Sequence, residues 1–348
     1  MEGKHNFTST ISMDKKRKIE IMSCTGCGFC KEGCPVFEQT GIESSSGKGK
    51  ILLAYGLLQG DIKENESINR ALYECTLCKK CETHCPSLID IPLIISSMRK
   101  EIKDLPQHQQ LRQNIQESGN PFGETYVSPV LNKQSTLGYF PGCFLNMQEK
   151  NIKKATLSVL KKMGYIPHVV NTSCCNAPLE RIGAPFTTPK REYGKIKTLL
   201  FSCPACLYMF KKNPPKNIHL SHITEFILHK KPTLSPWKKK VIYHDPCYLG
   251  RWLGIYDAPR HVLQSIPGLE LVEFTDTRES APCCGSEVEF RTAFPHLADN
   301  MGKHILTEAK KKNALVVTAS PHCSSHLKKI GGQPLDILEI VDKCLSSQ

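Results

Sequence analysis

The chain carries two copies of one cysteine run, Cys24-x2-Cys27-x2-Cys30-x3-Cys34-Pro35 and Cys75-x2-Cys78-x2-Cys81-x3-Cys85-Pro86. Few patterns constrain a fold as tightly, because each loop has to wrap around something. Three thiolates at successive short spacings can take three corners of a cubane [4Fe–4S] cluster while backbone N–H groups point at its sulfurs. The fourth cysteine, turned away by its proline, cannot easily reach the same cube and ligates the neighbouring one. The pattern therefore predicts one cubane on Cys24, Cys27, Cys30 and Cys85, and another on Cys75, Cys78, Cys81 and Cys34. Zinc usually takes two separated C-x2-C pairs and suits such a run poorly.

A length of 348 residues predicts two or three domains. Eighteen cysteines are many for a chain with no apolar export segment at its N-terminus, so metal binding is expected rather than disulfides. Residues 1–22, basic around 15–18, read as a flexible tail. No stretch approaches the roughly 20 apolar residues that span a bilayer. The protein is expected to be cytoplasmic and to reach a membrane only through a partner. The net charge of +13 comes from scattered lysines without a nucleic-acid reader motif, and cluster thiolates offset part of it. A basic surface of this kind fits an acidic electron-donor protein, or anionic lipid beside a membrane partner.

Helical spacing of Ile, Leu and Tyr at 50–59 and 68–73 predicts helices between the two cysteine loops. Residues 23–103 thus read as a mainly helical ferredoxin domain. The segment 42–50 (IESSSGKGK) lacks the order of a P-loop, and its glycines read as helix punctuation. Residues 104–135, rich in Gln, Asn, Gly and Pro, show no periodicity and read as a linker. Beyond it the sequence repeats, with one half at 136–238 and the other at 239–348. LGYFPGC and KVIYHDPC look like strands running into a cysteine-bearing turn, and TLLFSCPAC and ALVVTASPHC form a second pair. Helical patterns at 152–163 and 294–311 separate strands, which predicts a duplicated α/β unit with cysteines at strand ends.

The first half offers Cys143, the pair Cys174–Cys175, and Cys203-x2-Cys206; the second offers Cys247, Cys283–Cys284 and Cys323-x2-His326. Adjacent cysteines diverge and rarely share a small ion, but they can reach different irons of one larger cluster. Five soft thiolates from three loops exceed what zinc or a cubane needs, which favours an unusual Fe–S cluster; zinc or a purely structural role is the alternative, more so in the second half. His326 stands where a last cysteine would fall, and is read as solvated rather than ligating. His244 and Asp245 read as turn caps, Arg251 as a candidate for an anionic substrate group, and Cys344 as a bystander.

GYFPGC, CCNAPLERIG, SCPAC, YHDPCYLGR, APCCGS and SPHC, together with the two tetrads, resemble the cysteine-rich (CCG) domain Fe–S oxidoreductases. The likeness is to the catalytic subunit of heterodisulfide reductase, and to the iron–sulfur subunits of anaerobic glycerol-3-phosphate and glycolate dehydrogenases. It departs at Asn176, which replaces the first CCG glycine, and at His326. The resemblance implies an α+β multidomain chain with a helical two-cluster domain and a duplicated CCG domain. It implies one or two noncubane clusters, with Cys143, Cys174, Cys175, Cys203 and Cys206 forming a catalytic set and Cys247, Cys283, Cys284 and Cys323 most of a second. The function implied is disulfide reduction fed through the cubanes. The alternative is an electron relay from a flavin-dependent dehydrogenase to quinone. Either way the expected partners are other oxidoreductase subunits, a flavoprotein or a membrane cytochrome, with a small disulfide or quinone as acceptor. A reductase would also need an open cleft between the two halves, walled near Cys143 and Cys247.

Overall fold

The computed structural model describes residues 11–126, 133–170 and 173–346. The N-terminal part is helical. Asp14 caps the helix Lys15–Met22 by accepting from the Arg17 N–H, and Ile21 from that helix is buried. The expected tail is therefore helical in its second part, while residues 1–10 lie outside the described residues. Helices Gly47–Gln59, Glu66–Tyr73 and Ile91–Arg99 bury Ile51, Ala54, Leu58, Leu72, Ile94 and Met98 against one another.

The reading of 104–135 as plain loop is corrected by a helix at Pro106–Ser118. Pro106 opens it, where a missing N–H costs nothing, and Gly119 closes it in the left-handed conformation at φ 69°. Its inner face is only Leu111, Ile115 and the buried His108, so no apolar periodicity was there to see. The His108 ring meets the Tyr73 ring edge-on at 5.1 Å, and its Nε2 lies 3.2 Å from the Glu289 carbonyl oxygen. The segment thereby ties the helical domain to the second α/β half.

Two four-stranded parallel sheets follow. The strands β1 (Leu137–Phe140), β2 (His168–Val169), β3 (Thr198–Phe201) and β4 (His219–His222) take the order β2-β1-β3-β4. The strands β5 (Lys240–His244), β6 (Glu270–Val272), β7 (Leu315–Thr318) and β8 (Leu335–Asp336) repeat it as β6-β5-β7-β8. Such parallel strands are covered on both faces, which explains their continuous apolar runs. Tyr139, Leu200, Tyr243 and Val317 share one core with the helices Lys150–Lys162 and Ile337–Cys344, so the halves pack as one body. In both sheets the central strands end, at Phe140, Phe201, His244 and Thr318, on the loops that bear the cysteines.

Candidate cluster and metal sites

In the helical domain one void of about 350 Å³ is lined by Cys24, Cys27, Cys30 and Cys85. A second of the same size is lined by Cys34, Cys75, Cys78 and Cys81. Each lining draws cysteines from both sequence runs. Each loop takes left-handed turns at the same two places: Gly26 and Gly28 at φ 70° and 86°, then Leu77 and Lys79 at 53° and 70°. Such turns aim successive N–H groups inward, as with the Leu77 N–H, 3.4 Å from the Cys75 sulfur. Glycine makes the first loop free of strain; the second adopts the same path with side chains that disfavour it. Burial and neighbouring thiols push Cys30 up to about 11, and burial first of all raises Cys81 and Cys34. Crowded sulfurs that resist ionisation alone are suited to a bound cationic core, which reverses that preference.

Between the voids lies Gly47, where a Cβ would meet the Cβ atoms of Cys30 and Cys81 at 3.2 Å each. Only a residue without a side chain lets the two sets approach this closely.

A third void, about 400 Å³, is lined by Cys143, Cys174, Cys175, Cys203 and Cys206, with Arg181 and His322. The five sulfurs adjoin one another in series, Cys143–Cys174–Cys175–Cys206–Cys203. Bonds from Cys174 and Cys206, aided by Arg181, hold Cys175 well below the usual thiol range. Cys206 and then His322 bring Cys203 to about 5. Asn176 at φ 67° matches Gly285 at 74°, so the CysCysAsn departure leaves the backbone unchanged, asparagine being tolerant of that region. The Asn176 N–H lies 3.3 Å from the Cys174 sulfur.

His322 escapes sequence reading because it belongs to the other half. It stacks on Phe144 with ring centroids 3.9 Å apart and hydrogen-bonds Cys203. That contact raises its pKa against the opposing effect of burial. Arg181, beside it, is buried in an ion pair with Glu287 at 2.6 Å and donates to the Tyr248 hydroxyl at 2.8 Å. Burial pushes Glu287 up to about 7 despite that arginine.

The second half is arranged differently. Helices Pro204–Lys212 and Pro321–Lys329 begin equivalently, with Cys203 capping one and Ser320 the other. Cys323 is thus the counterpart of Cys206, and the missing cysteine is the first of its pair. His326 is neither solvated nor near that position: it is buried, with Nε2 3.0 Å from the Ala298 carbonyl oxygen. His244 is likewise no cap. It is buried at the end of β5, and its ligating nitrogen lies within 4.8 Å of the sulfurs of Cys284 and Cys323. Asp245 is engaged by Arg260 in a bidentate pair at 2.7 Å. Arg251 donates to the Cys78, Glu279 and Ala281 carbonyls through Nε and Nη1, while its buried Nη2 has no hydrogen-bond partner. Cys283 turns the other way, hydrogen-bonding Cys247 and Cys78. Cys344 is buried in the shared apolar core.

A large open cleft, about 1040 Å³ with its mouth, is lined by neither Cys143 nor Cys247. It lies between the helix Pro106–Ser118 and the loop after Cys174, lined by Ile115, Gln116, Cys174, Asn176, Leu179 and Phe186 among others. Cys174 therefore borders both the cleft and the five-thiol void.

The 4Fe-4S dicluster domain matches residues 20–89, and the cysteine-rich domain (CCG) matches 137–211 and 241–328. The chain belongs to the CCG iron–sulfur proteins, and its dicluster domain implies two cubanes. Its relatives include subunits of heterodisulfide reductases and of other iron–sulfur oxidoreductases. One subunit of the fumarate reductase (CoM/CoB) of Methanothermobacter marburgensis is 27% identical, over 94% of this chain and 73% of that protein. One subunit of the dihydromethanophenazine:CoB--CoM heterodisulfide reductase of Methanosarcina acetivorans is 29% identical, over 94% of this chain and 93% of that one. The probable glycolate oxidase iron-sulfur subunit of Bacillus subtilis is 22% identical, over 89% and 88%. A hypothetical protein from Helicobacter pylori shares the fold at a TM-score of 0.62 and 10% identity, over 97% of this chain and 74% of its own. Among the described residues no helix is long and apolar enough to cross a membrane.

Proposed function

We propose that this chain is the substrate-reducing subunit of a heterodisulfide-reductase-type enzyme, cleaving a small disulfide such as that of coenzymes M and B. The observation that carries this reading is Cys174, which borders both the five-thiol void and the open cleft. In this reading Cys24, Cys27, Cys30 and Cys85 hold one cubane and Cys34, Cys75, Cys78 and Cys81 the other. Cys143, Cys174, Cys175, Cys203 and Cys206 hold a noncubane cluster. The clusters supply one-electron storage and, at the five-thiol site, iron that a substrate sulfur can approach.

The chain's own residues supply the rest. Ile115, Leu179, Pro185 and Phe186 give the cleft apolar walls for an alkyl disulfide, while Gln116 and Asn176 add polar contacts. Cleaving a disulfide takes two electrons and two protons and releases both thiols. His322, bonded to Cys203, and the buried Glu287 are placed to hold protons beside the five thiols. The electron donor is a partner protein that docks on the helical domain. Cys27 is exposed there, and Phe29, Ile42 and Leu88 are 58%, 56% and 83% exposed.

Binding of the disulfide to anoxic, cluster-loaded protein tests this directly by calorimetry. Phe186→Ala should weaken binding of the coenzyme M–coenzyme B disulfide several-fold and leave the cubane spectra unchanged. Absence of any binding by the unmodified protein would refute the assignment of the cleft.

A further inference from the structure

The family likeness suggests a second cluster in the second half, but its thiols do not gather as those of the first half do. There the contacts run unbroken through five adjoining sulfurs. Here they divide. Cys284 pairs with Cys323, while Cys283 turns to Cys247 and to Cys78 in the helical domain. Ser320 stands in for the fifth cysteine, and His244 occupies the strand-end position that Phe140 holds in the first half.

From this division we infer that the second half holds a single zinc-type divalent cation on His244, Cys284 and Cys323, and no second noncubane cluster. One ligand atom from each of the three lies within 4.8 Å of the others, and all three residues are buried. Two thiolates and an imidazole are the donor set zinc takes in tetrahedral sites, and zinc outcompetes most other first-row ions for it. The imidazole of His244 bonds the Cys323 thiol, while its buried Nδ1 has no hydrogen-bond partner. An imidazole with an idle nitrogen in an apolar pocket is costly unless something fills its coordination. The surroundings are Ile242, Phe274, Ile305 and Val316, which exclude water and suit a closed structural site. The Ser286 hydroxyl lies 3.6 Å from the Cys323 sulfur. The ion would join the ends of β5 and β7 to the CysCysGly loop. That holds Cys283 against Cys78, and His322, next to Cys323, against Cys203.

The test is metal analysis of the full chain, purified without oxygen, together with zinc-edge X-ray absorption. The expected result is about one zinc per chain beside the cluster iron, with a shell of sulfur near 2.3 Å and nitrogen near 2.0 Å. His244→Ala and Cys323→Ser should each lose the zinc and keep the iron, whereas His326→Ala should keep both. If those variants do not fold, the absorption edge of the unmodified protein decides alone. Absence of zinc, an all-sulfur shell, or loss of about four irons per chain in Cys284→Ser would each overturn the inference.

Discussion

The Arg99 guanidinium donates to the backbone carbonyl of Arg181 at 2.8 Å, joining the helical domain to the helix that lines the five-thiol void. The same group donates to the carbonyls of Leu72, Tyr73 and Cys75, at the start of the second cluster loop. Tyr73 adds a bond from its hydroxyl to the Ile182 carbonyl at 2.8 Å, and Trp252 one from its indole N–H to Leu77 at 2.9 Å. One buried fork thus fixes the second tetrad against the cysteine-rich body. A planar, five-donor guanidinium suits this task and a lysine does not.

Arg99→Met strands several buried carbonyls, and should cost about 3–5 kcal/mol of stability. Arg99→Lys should recover only part of it. Denaturant unfolding under argon, followed by cluster absorbance, measures both. A loss within about 1 kcal/mol for Arg99→Met would mean that the junction is held elsewhere.

Gly47→Ala should disturb both cubanes at once. A methyl group there meets Cys30 and Cys81 at 3.2 Å, so one from each set must shift. Overpacking of this kind costs about 1–3 kcal/mol. Electron paramagnetic resonance of the reduced protein should show altered coupling between the clusters. An unchanged spectrum would show that the glycine is incidental.

Crossed ligation predicts that Cys34→Ser perturbs the cluster whose other sulfurs come from Cys75, Cys78 and Cys81. Cys24→Ser should perturb the other one. Should both variants alter the same signal, each tetrad holds its own cluster and the crossed assignment is wrong.

His222 sets an acid limit on the first sheet. Its Nδ1 accepts from the Thr224 N–H at the start of the helix Ile223–Lys230, and burial pushes its pKa down to about 4 from the ordinary 6.5. The unfolded chain therefore binds the proton first. The stabilisation is whole above pH 6.5 and is lost as pH falls toward 4, amounting to roughly 3 kcal/mol. His222→Asn, which keeps a capping oxygen, should flatten the decline in stability between pH 6.5 and about 4, the span of that titration. An equally steep decline in the variant would assign it to other groups.

Much of this architecture is legible in the sequence where covalent spacing does the work. The two tetrads fix their own loops, and the proline after each fourth cysteine turns it toward the other set. Parallel strands announce themselves by apolar runs ending in cysteine. Hidden features depend on partners distant in the chain. Leu77 and Lys79 take left-handed turns that nothing in their chemistry advertises; only the equivalent Gly26 and Gly28 hint at it. The helix Pro106–Ser118 buries too few apolar residues to show a period. His326 falls at a cysteine-like spacing yet faces the Ala298 carbonyl. The register that matters is set by Pro204 and Pro321 at the two helix starts, and it makes Ser320 the substituted position. His322 reaches the first half's thiols only because the two sheets pack together, which no local pattern records.

The central claim is that the five-thiol site reduces a disulfide. The most direct measurement is turnover of the coenzyme M–coenzyme B disulfide by the dye-reduced, iron-replete full chain, followed as thiol release. The account predicts that both thiols appear, that Cys175→Ala abolishes their release, and that both cubane signals survive in that variant. An iron-replete protein that releases no thiol, yet is rapidly reoxidised by a quinone, would contradict the account and make the chain an electron relay.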